Sequence, residues 1–328
     1  MFSRRPNSQN KILRTLLKLF NIYAIDRENF NFINPNLNNH GKNIYEFNDK
    51  SFNLSVGYTE ITRKIYNLDI VYRYCPSNAL WNSKNTWKRI IPNINKEILI
   101  KTCLNSLKKS INIFLEKEKN VNITLHLITD GSTTKFDEDI FKILENNNFK
   151  FKFYEPKIAG NHGSFLECCD IAEKLAKDLI FFIEDDYLFE ENAIKEILFS
   201  YSKISSQIKQ DIFMCPSDYP FYYDSLYKTS LILGKKNRWR FIGETLLTFL
   251  VSKKIFNQYL KKIRSIGELN NDPFEKPLHD IYKEVPCFSP IGTLAHHISR
   301  SVPSLNENWF ELWEKNLHND KNGAPARS

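Results

Sequence analysis

No run of about eighteen apolar residues occurs in the 328-residue chain, so no membrane-spanning helix is expected. The amino terminus also lacks the pattern of a signal peptide. Lys11, Arg14 and Lys18 interrupt its apolar stretch, and no small-residue cleavage site follows. The six cysteines (Cys75, Cys103, Cys168, Cys169, Cys215 and Cys287) form no C-x-x-C pair and no Cys/His cluster at zinc spacing. They predict reduced thiols in a cytoplasmic protein. No recognised nucleic-acid module accompanies the basic balance, so nucleic acid is not expected as a partner.

What is present suffices for a packed core, with 42% hydrophobic and 14% aromatic residues. The length suits one large α/β domain, or one domain with extensions. The net charge is +8, and much of that excess is local. Residues 1–20 carry Arg4, Arg5, Lys11, Arg14 and Lys18 and no acid. Lys11, Arg14 and Lys18 share one helical face, opposite Leu13, Leu16, Leu17 and Phe20. Such a basic amphipathic helix either lies on the anionic inner face of a membrane or packs on the domain with its basic face in solvent.

Residues 26–66 are polar and asparagine-rich, which predicts an irregular extension through residue 66. Residues 69–75 have the β-branched and aromatic character of a first strand, ended by Pro76-Ser77-Asn78. A helix over 95–119 keeps Ile98, Leu99, Thr102, Cys103, Leu107 and Ile111 at helical spacing. Further strands are expected at 121–128, 149–154, 179–183 and 211–216, with helices at 137–146, 165–177, 191–203, 256–266 and 278–283. Repeated strand–helix alternation predicts a mostly parallel sheet with helices on both faces. The expected division is an extension over 1–66, a first half over 67–205, a second half over 206–316 and a frayed tail over 317–328.

The strand Leu179–Ile183 runs straight into Glu184-Asp185-Asp186. Three adjacent carboxylates repel one another unless a cation, proton or donor compensates them. They form either a divalent-metal site holding a phosphate-bearing ligand or a solvated acidic turn before the next helix. Right-handed crossovers bring Pro76–Asn78, Asp130–Ser132 and Glu184–Asp186 to one sheet edge, which predicts a nucleotide cleft.

The order of these motifs resembles the GT-A-fold glycosyltransferases, especially the family 2 group of inverting nucleotide-sugar enzymes. The likeness covers about residues 69–300. It is carried by Asp69–Asn78, Leu104-Asn-Ser-Leu107, Ile128–Thr133, Asn161-His-Gly163, Phe182–Tyr187, Leu278-His-Asp-Ile281 and Ala295-His-His-Ile298. No single motif is specific; their order and spacing are. The chain departs from the family at Thr129 and His279, where acids are usual, and in a longer loop before the first helix.

The resemblance implies a GT-A domain that uses Mn²⁺ or Mg²⁺ and a nucleotide-sugar donor, with a UDP-sugar favoured. A glycan or lipid-linked acceptor follows. It implies Asp186 as the direct metal ligand and His297, or less readily His296, as a late imidazole ligand or diphosphate contact. Glu184 and Asp185 would meet ribose, sugar or metal-bound water. Pro76, Asn78, Asp130, Gly131, Asn161 and Gly163 would line the donor site, with the two glycines permitting close backbone approach or positive φ. Asp280 lies at the position of the general base, with Glu244 and then Asp218 as alternatives. Arg73 either faces the cleft or snorkels to the sheet edge. The competing readings are a sugar-phosphate nucleotidyltransferase and a non-catalytic nucleotide- or glycan-binding protein. Against the former, Pro76–Trp81 holds no glycine for a phosphate loop.

Overall fold

The computed structural model describes residues 51–54, 57–78, 90–91, 94–224, 229–269, 271–300, 302–305 and 308–317. The expected amphipathic helix of residues 1–20 lies outside them. No helix among the described residues is long and apolar enough to cross a membrane.

The chain divides into two compact units. The smaller takes in residues up to Thr62 together with Ser205–Gln210. It holds an antiparallel hairpin, β1 (Ser51–Leu54) and β2 (Gly57–Glu60), with Ser51 opposite Glu60. This corrects the irregular reading of residues 26–66 at those positions. Four-residue strands are too short for alternation to stand out from a polar background.

The larger unit, Arg63–Ile204 with Asp211–Ser328, is an α/β fold around a nine-stranded sheet. Its first half comprises β3 (Asn67–Tyr74), α1 (Lys96–Lys117), β4 (Asn122–Thr129), α2 (Thr134–Leu144), β5 (Lys150–Tyr154), α3 (Asn161–Leu175) and β6 (Leu179–Glu184). The strand order β5-β4-β3-β6 is parallel throughout. β3 is buried from Leu68 to Tyr74 and β6 from Leu179 to Ile183. Continuous burial is what a parallel strand covered on both faces requires. Successive crossovers step from β3 outward to β4 and β5, then return past β3 to β6. With right-handed connections, α1 and α2 cover one face and α3 the other. The reversal falls between β3 and β6, where open α/β sheets bind ligands at the strands' carboxyl ends.

α1 starts at Asn95, whose side chain accepts the Ile98 amide at 2.8 Å. Leu99, Cys103, Leu107, Ile111 and Phe114 form its buried stripe. A leucine or isoleucine so buried contributes about 1.5–3 kcal/mol. Two serines on α1 anchor the segment after β6: Ser106 accepts the Phe189 amide and Ser110 the Ile194 amide.

The rest of the sheet runs β6-β11-β8-β12-β10-β9, using β8 (Phe213–Met214), β9 (Leu231–Leu233), β10 (Arg238–Ile242), β11 (Phe249–Ser252) and β12 (Cys287–Ile291). β11 and β10 are antiparallel to their neighbours, so the other seven strands point one way. The expected strand at 211–216 shrinks to Phe213–Met214. The single sheet takes strands from both of the expected halves.

A separate two-stranded pair positions the functional edge. β7 (Tyr187–Phe189) pairs antiparallel with β13 (Ala295–His297), setting His297 opposite Tyr187. The Ile298 amide closes the pair on the Asp186 carbonyl at 2.8 Å.

Candidate active site

A cleft of about 470 Å³ opens at the carboxyl ends of β3 and β6. That volume suits a small-molecule site. Of the expected donor-site and metal residues, the cleft brings together Asn78, Asp130, Asn161, Glu184, Asp185, Asp186 and His297. Pro76 is buried under the turn after β3, and neither it nor Gly131 and Gly163 lines the cleft. A larger cavity, about 760 Å³, lies at the opposite edge of β3 and β4. Its one acid, Asp69, has its oxygens bound by His126 at 3.1 Å and the Lys177 amide at 3.2 Å.

The three acids have different surroundings. Glu184 pairs with the Arg73 guanidinium, which also donates to the Asn161 carbonyl at 2.9 Å and side chain at 2.6 Å. Arg73 therefore faces the cleft and ties β6 to the start of α3. Asp185 is buried and accepts from Lys96 Nζ at 2.6 Å and the Cys75 amide at 2.9 Å, joining α1, β3 and β6. Asp186 faces His297, with Oδ2 at 3.5 Å from Nε2. Its other oxygen, Oδ1, is buried without a hydrogen-bond partner.

The titration pattern follows from these contacts. Burial raises the Glu184 and Asp185 carboxyls despite the opposing charges of Arg73 and Lys96. Burial would raise Asp186 too, but the His297 charge and hydrogen bond, then Lys96, hold it well below the usual carboxylate range. Burial would lower His297, and Asp186 outweighs it, so the imidazolium is favoured. Of the triad, Asp186 is the member whose surroundings most favour the charged form.

His297 Nδ1 lies 3.1 Å from the Val302 carbonyl. A carbonyl only accepts, so Nδ1 carries a proton; Nε2 faces Asp186 and would bind a cation on losing the proton that Asp186 favours there. Tyr187 stacks on the ring at 5.0 Å and fixes its plane. An orphaned buried carboxylate oxygen beside an imidazole Nε2 fits a divalent cation that accepts mixed oxygen and nitrogen ligands. His296 is buried and satisfied by Glu190 at 2.9 Å and Ser304 at 2.6 Å, so it does not reach the cleft.

The glycines act beneath the site. Gly131 has φ +64, and a Cβ there would lie 2.5 Å from Ser77 Oγ. A Cβ at Gly163 would meet the Ile158 carbonyl at 1.8 Å. The glycine that lines the cleft is Gly160, at φ +95, whose amide donates to Asp130 at 2.9 Å.

The expected base is not brought to the cleft. Asp280 sits on the exposed side of α7 (Lys276–Tyr282), 2.6 Å from Lys283. Glu244 also lies outside the cleft lining, near Glu275 and His279. Asp218 is buried and held by Arg240, the Tyr223 hydroxyl and the Gly292 amide. Of the neighbouring aromatic cluster, Tyr219 is buried and shares a hydrogen bond with Tyr187, while Tyr223 is exposed.

Sequence reasoning missed Lys96. A signal existed, because a lysine in the first helical turn opposes the helix dipole and calls for a nearby acid.

No family model and no curated protein matches the sequence. Among solved structures, the chain is similar to the glycosyltransferase GlyE of Streptococcus pneumoniae TIGR4, with 10% identity and TM-score 0.37 over 67% of this chain and 44% of that one. It is similar to S. aureus TarS, with 10% identity and TM-score 0.45 over 75% of this chain and 38% of that one. A third similar structure is a UDP-glucose pyrophosphorylase complexed with UDP-glucose, with 10% identity and TM-score 0.41 over 77% and 97%. The chain spans less than half the length of the first two proteins.

Proposed function

We propose that the chain is a metal-dependent glycosyltransferase, moving a sugar from a nucleotide-sugar donor to a hydroxyl acceptor. The observation that carries this reading is Asp186, with one buried oxygen lacking a hydrogen-bond partner, 3.5 Å from His297 at the switch point of the sheet. Asp186 and His297 would hold Mn²⁺ or Mg²⁺. When bound, the cation supplies Lewis-acid stabilisation for the charge that grows on a diphosphate leaving group. Lys96 and Arg73 add positive charge along the same wall. Asp185 holds Lys96 in place, and Glu184 with Arg73 orients Asn161. Asp130 and Asn78 lie across the cleft, where ribose or base would meet them. A UDP-sugar, a hexosyl or N-acetylhexosaminyl group, inversion, and a glycan or lipid-linked acceptor rest on the motif resemblance. Peripheral membrane contact through residues 1–20 rests on their charge pattern. The donor-site role carries forward for Asn78, Asp130, Asn161, Glu184 and Asp185. Pro76, Gly131 and Gly163 are assigned to shaping the backbone beneath it, and Asp280 is not carried forward as base.

The test is incubation with a panel of nucleotide sugars and Mn²⁺, following release of nucleoside diphosphate. Release lost on chelation and in Asp186→Ala is expected. Release of pyrophosphate from a nucleoside triphosphate and a sugar phosphate, with no reaction of nucleotide sugars, would instead establish a nucleotidyltransferase.

A further inference from the structure

A second group of metal-ligating side chains lies outside the cleft lining. Glu244 follows β10, Glu275 precedes α7, and His279 stands one helical turn further on. One ligand atom from each lies within 4.8 Å of the other two. Among the described residues this is the one such triplet.

The second observation concerns satisfaction of buried atoms. Glu275 is 4% exposed. Its Oε2 accepts the Leu247 amide at 3.0 Å, which fixes the carboxylate. Its Oε1 points at the cluster, is buried and has no hydrogen-bond partner. His279 Nε2, 3.4 Å away, is also buried and lacks a hydrogen bond. The two atoms form an ion pair when Nε2 carries a proton, and a cation taking that proton's place would meet Glu275 Oε1, His279 Nε2 and Glu244 together. Among the described residues, no lysine or arginine pairs with either carboxylate.

The geometry points to a divalent-cation site formed by Glu244, Glu275 and His279, separate from the Asp186 site and selective for a first-row transition ion of the zinc class. Two carboxylates and one imidazole are a mixed oxygen–nitrogen set; they favour Zn²⁺ over Mg²⁺, with water completing the shell. The cation would clasp a strained turn. Leu246 and Leu247 adopt successive positive φ values of 49° and 59°, unusual for leucine. Glu275 already holds that turn through the Leu247 amide, and Thr248 just beyond accepts the Glu184 amide at 3.3 Å. The clasp therefore stiffens the segment that abuts the acidic strand end.

The experiment uses the full chain carrying Asp186→Asn, stripped with chelator and titrated calorimetrically with Zn²⁺ alone and Mg²⁺ alone. This background removes the cleft ligand, so either site can fail without the other. One Zn²⁺ per chain is expected, with Mg²⁺ much weaker. Adding Glu275→Gln or His279→Gln should weaken Zn²⁺ binding about tenfold or more. Hydrogen exchange on the unmutated chain gives an independent readout: Zn²⁺ should slow exchange over residues 243–248. Absence of Zn²⁺ binding in Asp186→Asn, affinity unchanged by both further substitutions, or unaltered exchange in that turn would each overturn the proposal.

Discussion

Replacing Lys203 with methionine should change how stability depends on pH. Lys203 lies on the helix Ala193–Ile208 with its side chain fully buried, and its ammonium donates to the Leu233 carbonyl. Burial pushes it down from 10.5 to about 7, against the opposing pull of Glu196. The unfolded chain therefore binds more protons than the folded one between about pH 7 and 10.5, and stability rises with pH across that window. At 1.36 kcal/mol per pH unit, the lysine costs on the order of 5 kcal/mol at pH 6 and about 2 kcal/mol at pH 9. Lys203→Met removes this dependence. It also leaves the Leu233 carbonyl without that donor, a pH-independent loss of about 1–3 kcal/mol. The diagnostic is consequently the slope. Urea denaturation followed by fluorescence should show the variant's advantage shrinking by about 2–3 kcal/mol between pH 6 and pH 9. A difference between the two proteins that stays constant over this range would refute the reasoning.

Three further outcomes follow from the site. Lys96→Met leaves Asp185 buried without its cation and should destabilise by about 3–5 kcal/mol, read by thermal melting; an unchanged melt would show the pair to be dispensable. Gly163→Ala drives a Cβ into the Ile158 carbonyl and should lower the melting temperature by several degrees, whereas Gly160→Ala meets no atom within 4 Å and should cost only the strain of its positive φ. Asp280→Asn should keep sugar-nucleotide turnover within about twofold, the range of an ordinary surface substitution, and a loss of orders of magnitude would return Asp280 to the role of base.

The parallel half of the fold was legible because long, wholly buried strands and amphipathic helices carry strong periodic signals. β6 presents a continuous apolar run, β3 and β4 are eight-residue strands rich in β-branched, leucine and aromatic residues, and α1 repeats its buried stripe from Leu99 to Phe114, about four turns. The acidic end of β6 was legible for a different reason: three adjacent carboxylates at the end of a buried strand repel one another and so call for compensating partners. The second half was not, because β8, β9 and β11 are two to four residues long, and their order comes from pairings distant in sequence. The delivery of His297 to Asp186 depends on the three-residue β7–β13 ladder, which no local pattern announces. Asp280 shows the same limit at finer scale. On a seven-residue helix, a one-residue error in phase rotates the face by about 100°, and the structure turns His279 toward Glu275 while Asp280 meets Lys283. Lys96 escaped notice because its partner, Asp185, lies 89 residues away.

The central claim is that Asp186 anchors a cation that holds a nucleoside diphosphate in the cleft. Isothermal titration of UDP into the protein tests it most directly, with Mn²⁺ or with chelator, for the unmutated chain and for Asp186→Asn. The account predicts Mn²⁺-dependent binding by the unmutated chain and an affinity lower by about tenfold or more, at least 1.4 kcal/mol, in Asp186→Asn. Equal UDP affinity in both proteins, indifferent to Mn²⁺, would contradict it.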